Sequence, residues 1–226
     1  MKKSILLKAP ILTRSGYGEH SRFVLRALRS REELFDIYIQ PIQWGATSWI
    51  YENNDERHWI DRKIEQTIAY IQQGGRFDIS LQITIPNEWE KIAPINIGVT
   101  AGIETTKVAP LWLQKANDCV DRIITISNHS VNTYKNTVAI AKNNQTGQEF
   151  EYTLNVPIDY VNYPVKSFDN LQDLDLNLPH NFNFLSVAQF GPRKNIPNTI
   201  KWFIEEFHDE EVGLVVKTSM TKNCQY

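Results

Sequence analysis

Two adjacent cations, Arg193 and Lys194, stand where a loop meets the start of a helical pattern, and they are the clearest chemical signal in the sequence. Free backbone N–H groups and the positive end of a helix dipole favour an anion at such a place, and two basic side chains add to that preference. A basic dipeptide on a solvated loop has the same letters, so spacing alone leaves both readings open. Gly16-Tyr17-Gly18 also precedes a helical pattern and offers a tight backbone turn that a phosphate or a sugar can approach. As a dinucleotide fingerprint it is incomplete: residue 21 is Ser where a third glycine belongs, and the turn is displaced from the preceding strand. A purely structural turn is the alternative. Glu104, in Ala101-Gly-Ile-Glu-Thr-Thr106, follows a strand pattern. A carboxylate there binds a sugar hydroxyl, handles a catalytic proton, or caps the next helix. His20 falls on the apolar face of its helix, where a satisfied core histidine is the ordinary outcome. Trp44 and Trp49 share one loop, and they either stack on a sugar ring or anchor the loop.

The elements that must position these residues follow from periodicity. Phe184 to Ala188 reads as a strand, Gln189 to Lys194 as a loop, and Asn195 as the N-cap of a helix with Pro197 in its first turn. Ile200, Phe203, Ile204 and Phe207 give that helix one apolar face, and Val212 to Val216 is the next strand. Strand, helix and strand make a βαβ unit, hence a parallel sheet with ligands at its carboxyl edge. Upstream, Ser4 to Lys8 predicts a first strand, followed by a helix with His20, Phe23, Val24, Ala27 and Leu28 on one face and Arg22, Arg26 and Arg29 elsewhere. Alternation at Phe35, Ile37 and Ile39 predicts a second strand. A helix carrying Ile60, Ile64, Ile68 and Ile71 closes at Gly74-Gly75. Further strands are expected at Phe77 to Ile83, Asn96 to Val99 and Arg122 to Ile126, with a helix after Pro110 and another capped by Ser127 and Asn128. Lys142 to Tyr152 reads as an exposed loop or hairpin. This alternation argues for a doubly wound α/β domain.

Composition bounds the rest. The chain has 226 residues, 42% hydrophobic and 22% charged, with a formal net charge of -2. That is ordinary for a globular protein and shows no nucleic-acid footprint. The sequence has no apolar run long enough for a transmembrane helix and no signal-peptide core after Lys2-Lys3. Cys119 and Cys224 are single and distant, with neither metal nor disulfide spacing. A reduced, cytoplasmic protein without metal or cofactor is expected. Residues 1–165 read as an N-terminal Rossmann-like domain, 166–181 as an aperiodic linker rich in Asp, Asn and Leu, and 182–226 as the start of a second domain. The last stretch has room for one βαβ unit, so the chain is expected to be truncated within that domain.

Phe-Leu-Ser-Val-Ala-Gln-Phe-Gly-Pro-Arg-Lys-Asn195, with the helix after it and Leu-Val-Val-Lys-Thr218, resembles the opening of the C-terminal domain of group 1 glycosyltransferases. Those are retaining enzymes of the GT-B fold, with two Rossmann-like domains facing across a cleft. The resemblance implies a transfer of sugar from a nucleotide-sugar donor to a carbohydrate, lipid or protein acceptor. It implies that Lys194 binds the donor diphosphate. The family's Gly-Arg pair reads Ala188-Gln189 here, so Arg193 is the candidate replacement. Gly16-Tyr17-Gly18 is similar to the family's glycine-rich first loop, which lines the cleft. Glu104-Thr, Pro110-x-Trp112 and Ile126-Ser127 resemble a region of its N-terminal domain where the Glu lies near the cleft. The family's two glutamates eight positions apart have no counterpart, which leaves the catalytic residues unassigned. A non-catalytic carbohydrate- or phosphate-binding fragment, or a subunit completed by another chain, is the alternative. A nucleotide-dependent oxidoreductase is disfavoured by the missing third glycine.

Overall fold

The computed structural model describes residues 2–220 apart from 144, 166, 168 and 170. The chain separates into two compact units, Met1–Trp44 with Ile50–Pro164, and Gly45–Trp49 with Val165–Tyr226.

The first unit runs β1 (Lys3–Ala9), α1 (Gly16–Arg29), β2 (Phe35–Pro41), α2 (Asp55–Gln72), β3 (Ile79–Ile83), β4 (Ile95–Val99), α3 (Pro110–Cys119), β5 (Arg122–Thr125), α4 (Asn128–Lys135), β6 (Ala139–Lys142), β7 (Glu149–Tyr152) and β8 (Ile158–Tyr160). Six strands form one sheet in the order β2-β1-β3-β4-β5-β8, every pair parallel. This is a Rossmann-like α/β arrangement. β6 and β7 form a separate antiparallel hairpin, so the polar stretch 142–152 is its turn and second strand. The sequence pattern does not announce β8: its three residues hold one buried apolar side chain, Ile158.

Burial in β3 is not confined to its apolar residues: Ser80 and Gln82 are wholly buried beside Leu81 and Ile83. A central parallel strand is covered on both faces, so its polar side chains must find partners inside. Ser80 Oγ donates to Asn96 Oδ1 at 2.8 Å, and Gln82 Nε2 donates to Glu90 O at 2.7 Å while its Oε1 accepts from Glu90 N at 3.0 Å.

On two helices the expected face is only part of what is buried: His20 and Ile60 are buried and Val24, Leu28 and Ile64 pack on the core as expected. On α1, Ser21, Arg22 and Leu25 are buried while Ala27 is exposed, because the arginine is drawn in by hydrogen bonds. On α2, Ile60 and Thr67 are buried whereas Ile68 and Ile71 are about half exposed. Thr67 earns burial chemically: its Oγ1 accepts from Ile39 N at 2.8 Å and donates to Lys63 O at 2.6 Å. Gly74 ends this helix region with φ +78, as a C-terminal glycine should.

The second unit contains β9 (Phe182–Phe190), α5 (Ile196–Phe207) and β10 (Val212–Met220), with β9 and β10 parallel over their whole length. Both strands are longer than expected and Gln189 belongs to β9. Phe203 and Phe207 pack on Phe184 at ring separations of 5.9 and 5.5 Å, but Ile204 is exposed. Asn195 holds the N-cap position in a left-handed conformation (φ 52), and its side chain accepts from Asn198 Nδ2 instead of a helix N–H. Among the described residues from 161 to 181 no helix or strand forms. None of the described helices is long and apolar enough to cross a membrane.

Candidate functional site

β1 pairs with β2 on one side and β3 on the other, so the strand order reverses there. Open α/β sheets bind ligands in the crevice outside the carboxyl ends of the strands at such a point. The turn after β1 leads straight into α1, whose first three residues are Gly16, Tyr17 and Gly18. The expected glycine loop before a helix is therefore the helix's own first turn. Ser15 caps it: extended at φ -143 and ψ 165, it accepts from Gly18 N at 2.9 Å. Thr13 Oγ1 donates to Pro10 O at 2.8 Å and lies 2.8 Å from Ser15 Oγ, so the serine donates to it. Arg22 fastens the same loop, donating to Ile11 O at 2.8 Å and Thr13 O at 3.2 Å while pairing with Glu19 at 2.8 Å.

The two glycines do different work. A Cβ on residue 18 would lie 2.1 Å from the Thr13 carbonyl oxygen, so Gly18 is required by packing. A Cβ on residue 16 would meet nothing within 4 Å, so Gly16 leaves the N-terminal turn open.

Tyr17 ties this turn to the end of β4. Its hydroxyl lies 3.0 Å from Thr100 Oγ1 and accepts from Ala101 N at 3.1 Å, and its ring stacks on Trp44 with centroids 4.1 Å apart. Burial pushes the Tyr17 pKa up, against the hydrogen bonds from Thr100 and Ala101, and the Glu88 charge adds to the rise. Trp44 is thus a stacking partner within the first unit.

His20 is 7% exposed, with its ring edge-on to Tyr163 at 4.9 Å and 87°. The expectation of a satisfied core histidine fails: Nδ1 is buried with no hydrogen-bond partner. Burial lowers its pKa from 6.5 to about 4, so the imidazole is neutral near pH 7. The buried Tyr134 hydroxyl on α4 also lacks a partner, and burial drives its pKa upward with Tyr17 adding to the shift. Thr100 and Tyr163 fall in no motif of the sequence, and Tyr134 stands out there only as a residue of the helix after Ser127.

Glu104 is exposed on the segment following β4, beyond Ile103, whose N–H donates to Ser130 Oγ at 3.1 Å. It does not cap α3: the N-cap is Ala109, with no side-chain hydrogen bond. Arg193 and Lys194 lie in the second unit, both exposed in a 3-10 turn, Pro192–Lys194, between β9 and α5. A further concavity of about 470 Å³ lies between α3 and the hairpin, lined by Leu111, Gln114, Asp118, Ile140, Phe150 and Tyr152. Pro110, from the Pro110-x-Trp112 pattern, also lines it, whereas His20, with its unpartnered Nδ1, stands on α1 just after Gly16-Tyr17-Gly18. Among the described residues no group of three His, Cys, Asp or Glu side chains could hold a metal.

Comparison with protein-family models, with curated proteins and with solved structures finds no match to the chain.

Proposed function

We propose that the chain is a glycosyltransferase of GT-B type, or a portion of one, that moves a sugar from a nucleotide-sugar donor to an acceptor. The observation that supports it best is the crevice at the sheet's reversal point, where an open helix N-terminal turn at Gly16, the stacked Tyr17–Trp44 pair and the hydroxyls of Tyr17 and Thr100 meet. Aromatic faces beside a few placed hydroxyls suit a sugar ring. In this reading the first unit holds the acceptor, with Gly16, Tyr17, Gly18 and Glu104 on its side. In the second unit Arg193 and Lys194 neutralise the leaving diphosphate at the start of α5, where a helix dipole favours negative charge. A carbohydrate-binding protein without transferase activity is the second reading, and the Tyr17–Trp44 stack favours it equally.

The test incubates the purified chain with uridine, guanosine and adenosine diphosphate sugars and follows nucleoside diphosphate release by phosphorus NMR, alone and with sugar acceptors. Where release occurs, Lys194→Ala should lower it about 10²-fold, the usual cost of removing one donor at a developing anion. Arg193→Ala should cost less. Turnover unchanged in the Lys194 variant at saturating donor sinks the diphosphate role; sugar binding without release favours the second reading.

A further inference from the structure

We propose that the crevice at the carboxyl end of β1 receives one hydroxyl of an uncharged sugar ring between the imidazole of His20 and the hydroxyl of Tyr17, with Tyr163 as the side chain that moves to admit it. This specifies the ligand of the first unit and rests on the glycosyltransferase reading above.

Three observations converge. His20 is buried, and its Nδ1 has no partner in a protein where buried polar atoms are nearly all satisfied. A helical side chain leans back over the preceding turn, which for residue 20 is the turn of Gly16 and Tyr17, and Gly16 leaves that turn open. The wall around it is aromatic: Tyr163 edge-on to His20, and Tyr17 stacked on Trp44.

Charge decides between a sugar and a phosphate. Arg22 is committed to Glu19 and to two backbone carbonyls, and Arg26 is paired with Glu56. Arg14 is exposed in the preceding loop, and the Glu88 charge acts on Tyr17. A neutral imidazole adds no positive charge. An uncharged imidazole presents one donor and one acceptor nitrogen, and a hydroxyl can satisfy either one, whereas a fully ionised phosphate offers acceptors only. Aromatic walls and neutral polar groups therefore select a polyol ring. Tyr163 is half-exposed, and rotation of an exposed side chain is fast and local, so opening the imidazole needs no change in the sheet.

The test labels the full chain with ¹⁵N-histidine and records imidazole resonances by long-range proton–nitrogen correlation. The probes are methyl glucoside, methyl mannoside, methyl galactoside and N-acetylglucosamine, with inorganic phosphate as the anionic control at matched ionic strength. At least one sugar should move the His20 ring nitrogens saturably while phosphate leaves them in place. His20→Phe, which keeps an aromatic ring beside Tyr163, should weaken that sugar about tenfold, the loss of one buried hydrogen bond. Tyr163→Ala should bind it at least as tightly as the parent chain. His20 resonances unmoved by every sugar, or moved by phosphate instead, overturn the proposal without need of a variant, and so does unchanged affinity in His20→Phe. Donor turnover with a silent His20 removes the sugar site and keeps the transferase. Sugar at His20 with no turnover of any donor keeps the site and removes the transferase.

Discussion

The carbonyl oxygen of Thr13 occupies the place where residue 18 would carry its Cβ: an atom built there lies 2.1 Å away, and 2.8 Å from Thr13 Oγ1. Gly18→Ala must therefore push the first turn of α1 off the loop that Arg22 and Ser15 hold. A loss of about 1–3 kcal/mol is expected, the range of overpacking in a close-packed site. Gly16→Ala meets no atom, and replacing glycine in a helix should leave stability unchanged or raise it by up to about 1 kcal/mol. Urea unfolding of the two variants separates them, and equal losses would show the open turn to be occupied.

The neutral state of His20 makes stability depend on pH. Its folded pKa is about 4 against an ordinary 6.5, so in this range the unfolded chain binds a proton that the folded chain refuses. Stability should fall as pH drops from about 6.5 towards 4, by on the order of 3 kcal/mol in all. Glu33 and Asp78, held below the usual carboxylate range by hydrogen bonds from the Arg31 side chain and the Ser4 backbone respectively, act at lower pH. In His20→Phe the loss between pH 6.5 and 4 should vanish. A slope that survives in that variant assigns the proton to another group.

Tyr134→Phe removes a buried hydroxyl that has no partner. Its desolvation is not repaid by any bond, so the variant should be as stable as the parent chain or more stable by about 1 kcal/mol. Tyr17→Phe, which breaks the bonds to Thr100 and Ala101, should cost about 1 kcal/mol. Thermal or urea unfolding gives the comparison, and the two changes should have opposite signs or differ clearly in size.

Thr67→Val keeps the side chain's shape and deletes the oxygen that accepts Ile39 N. The buried N–H of β2 would then be unsatisfied, a cost of about 1–3 kcal/mol. Hydrogen exchange at Ile39 should accelerate more than at Ile37; equal acceleration would point to a general loss of packing.

Local rules made most of the first unit legible. Gly74 marked the end of α2, Ser127 capped α4 by accepting from Ser130 N at 3.1 Å, and the parallel sheet followed from strands alternating with helices. What stayed hidden depended on tertiary partners. Ser80, Gln82 and Thr67 look like surface residues until their hydrogen-bond partners are known. Arg22 shares a helix with two other arginines, and nothing in its own letters says that Ile11 O and Thr13 O will take it inside. The site divides in the same way. Gly16 to Gly18 was visible as a motif, whereas the contacts of Tyr17 with Thr100 and of His20 with Tyr163 join residues 83 and 143 positions apart. No short pattern could join them.

The position of β1 also sets the order in which the chain can be built. Leu7 lies between Ile39 on one side and Leu81 on the other, and the bond from Ser4 N to Asp78 spans 74 residues. During synthesis the first strand leaves the ribosome long before its second neighbour exists. Its apolar run Ile5-Leu6-Leu7 must wait, shielded only by β2 and α1, until residue 83 has emerged. Such distant parallel pairing is slow compared with local helix formation, and a strand left waiting is prone to wrong partners. The strand β1 is thus made before either neighbour yet is among the last elements of its sheet to reach its final surroundings, and a chaperone that engages the nascent chain would find its target in Ile5-Leu6-Leu7.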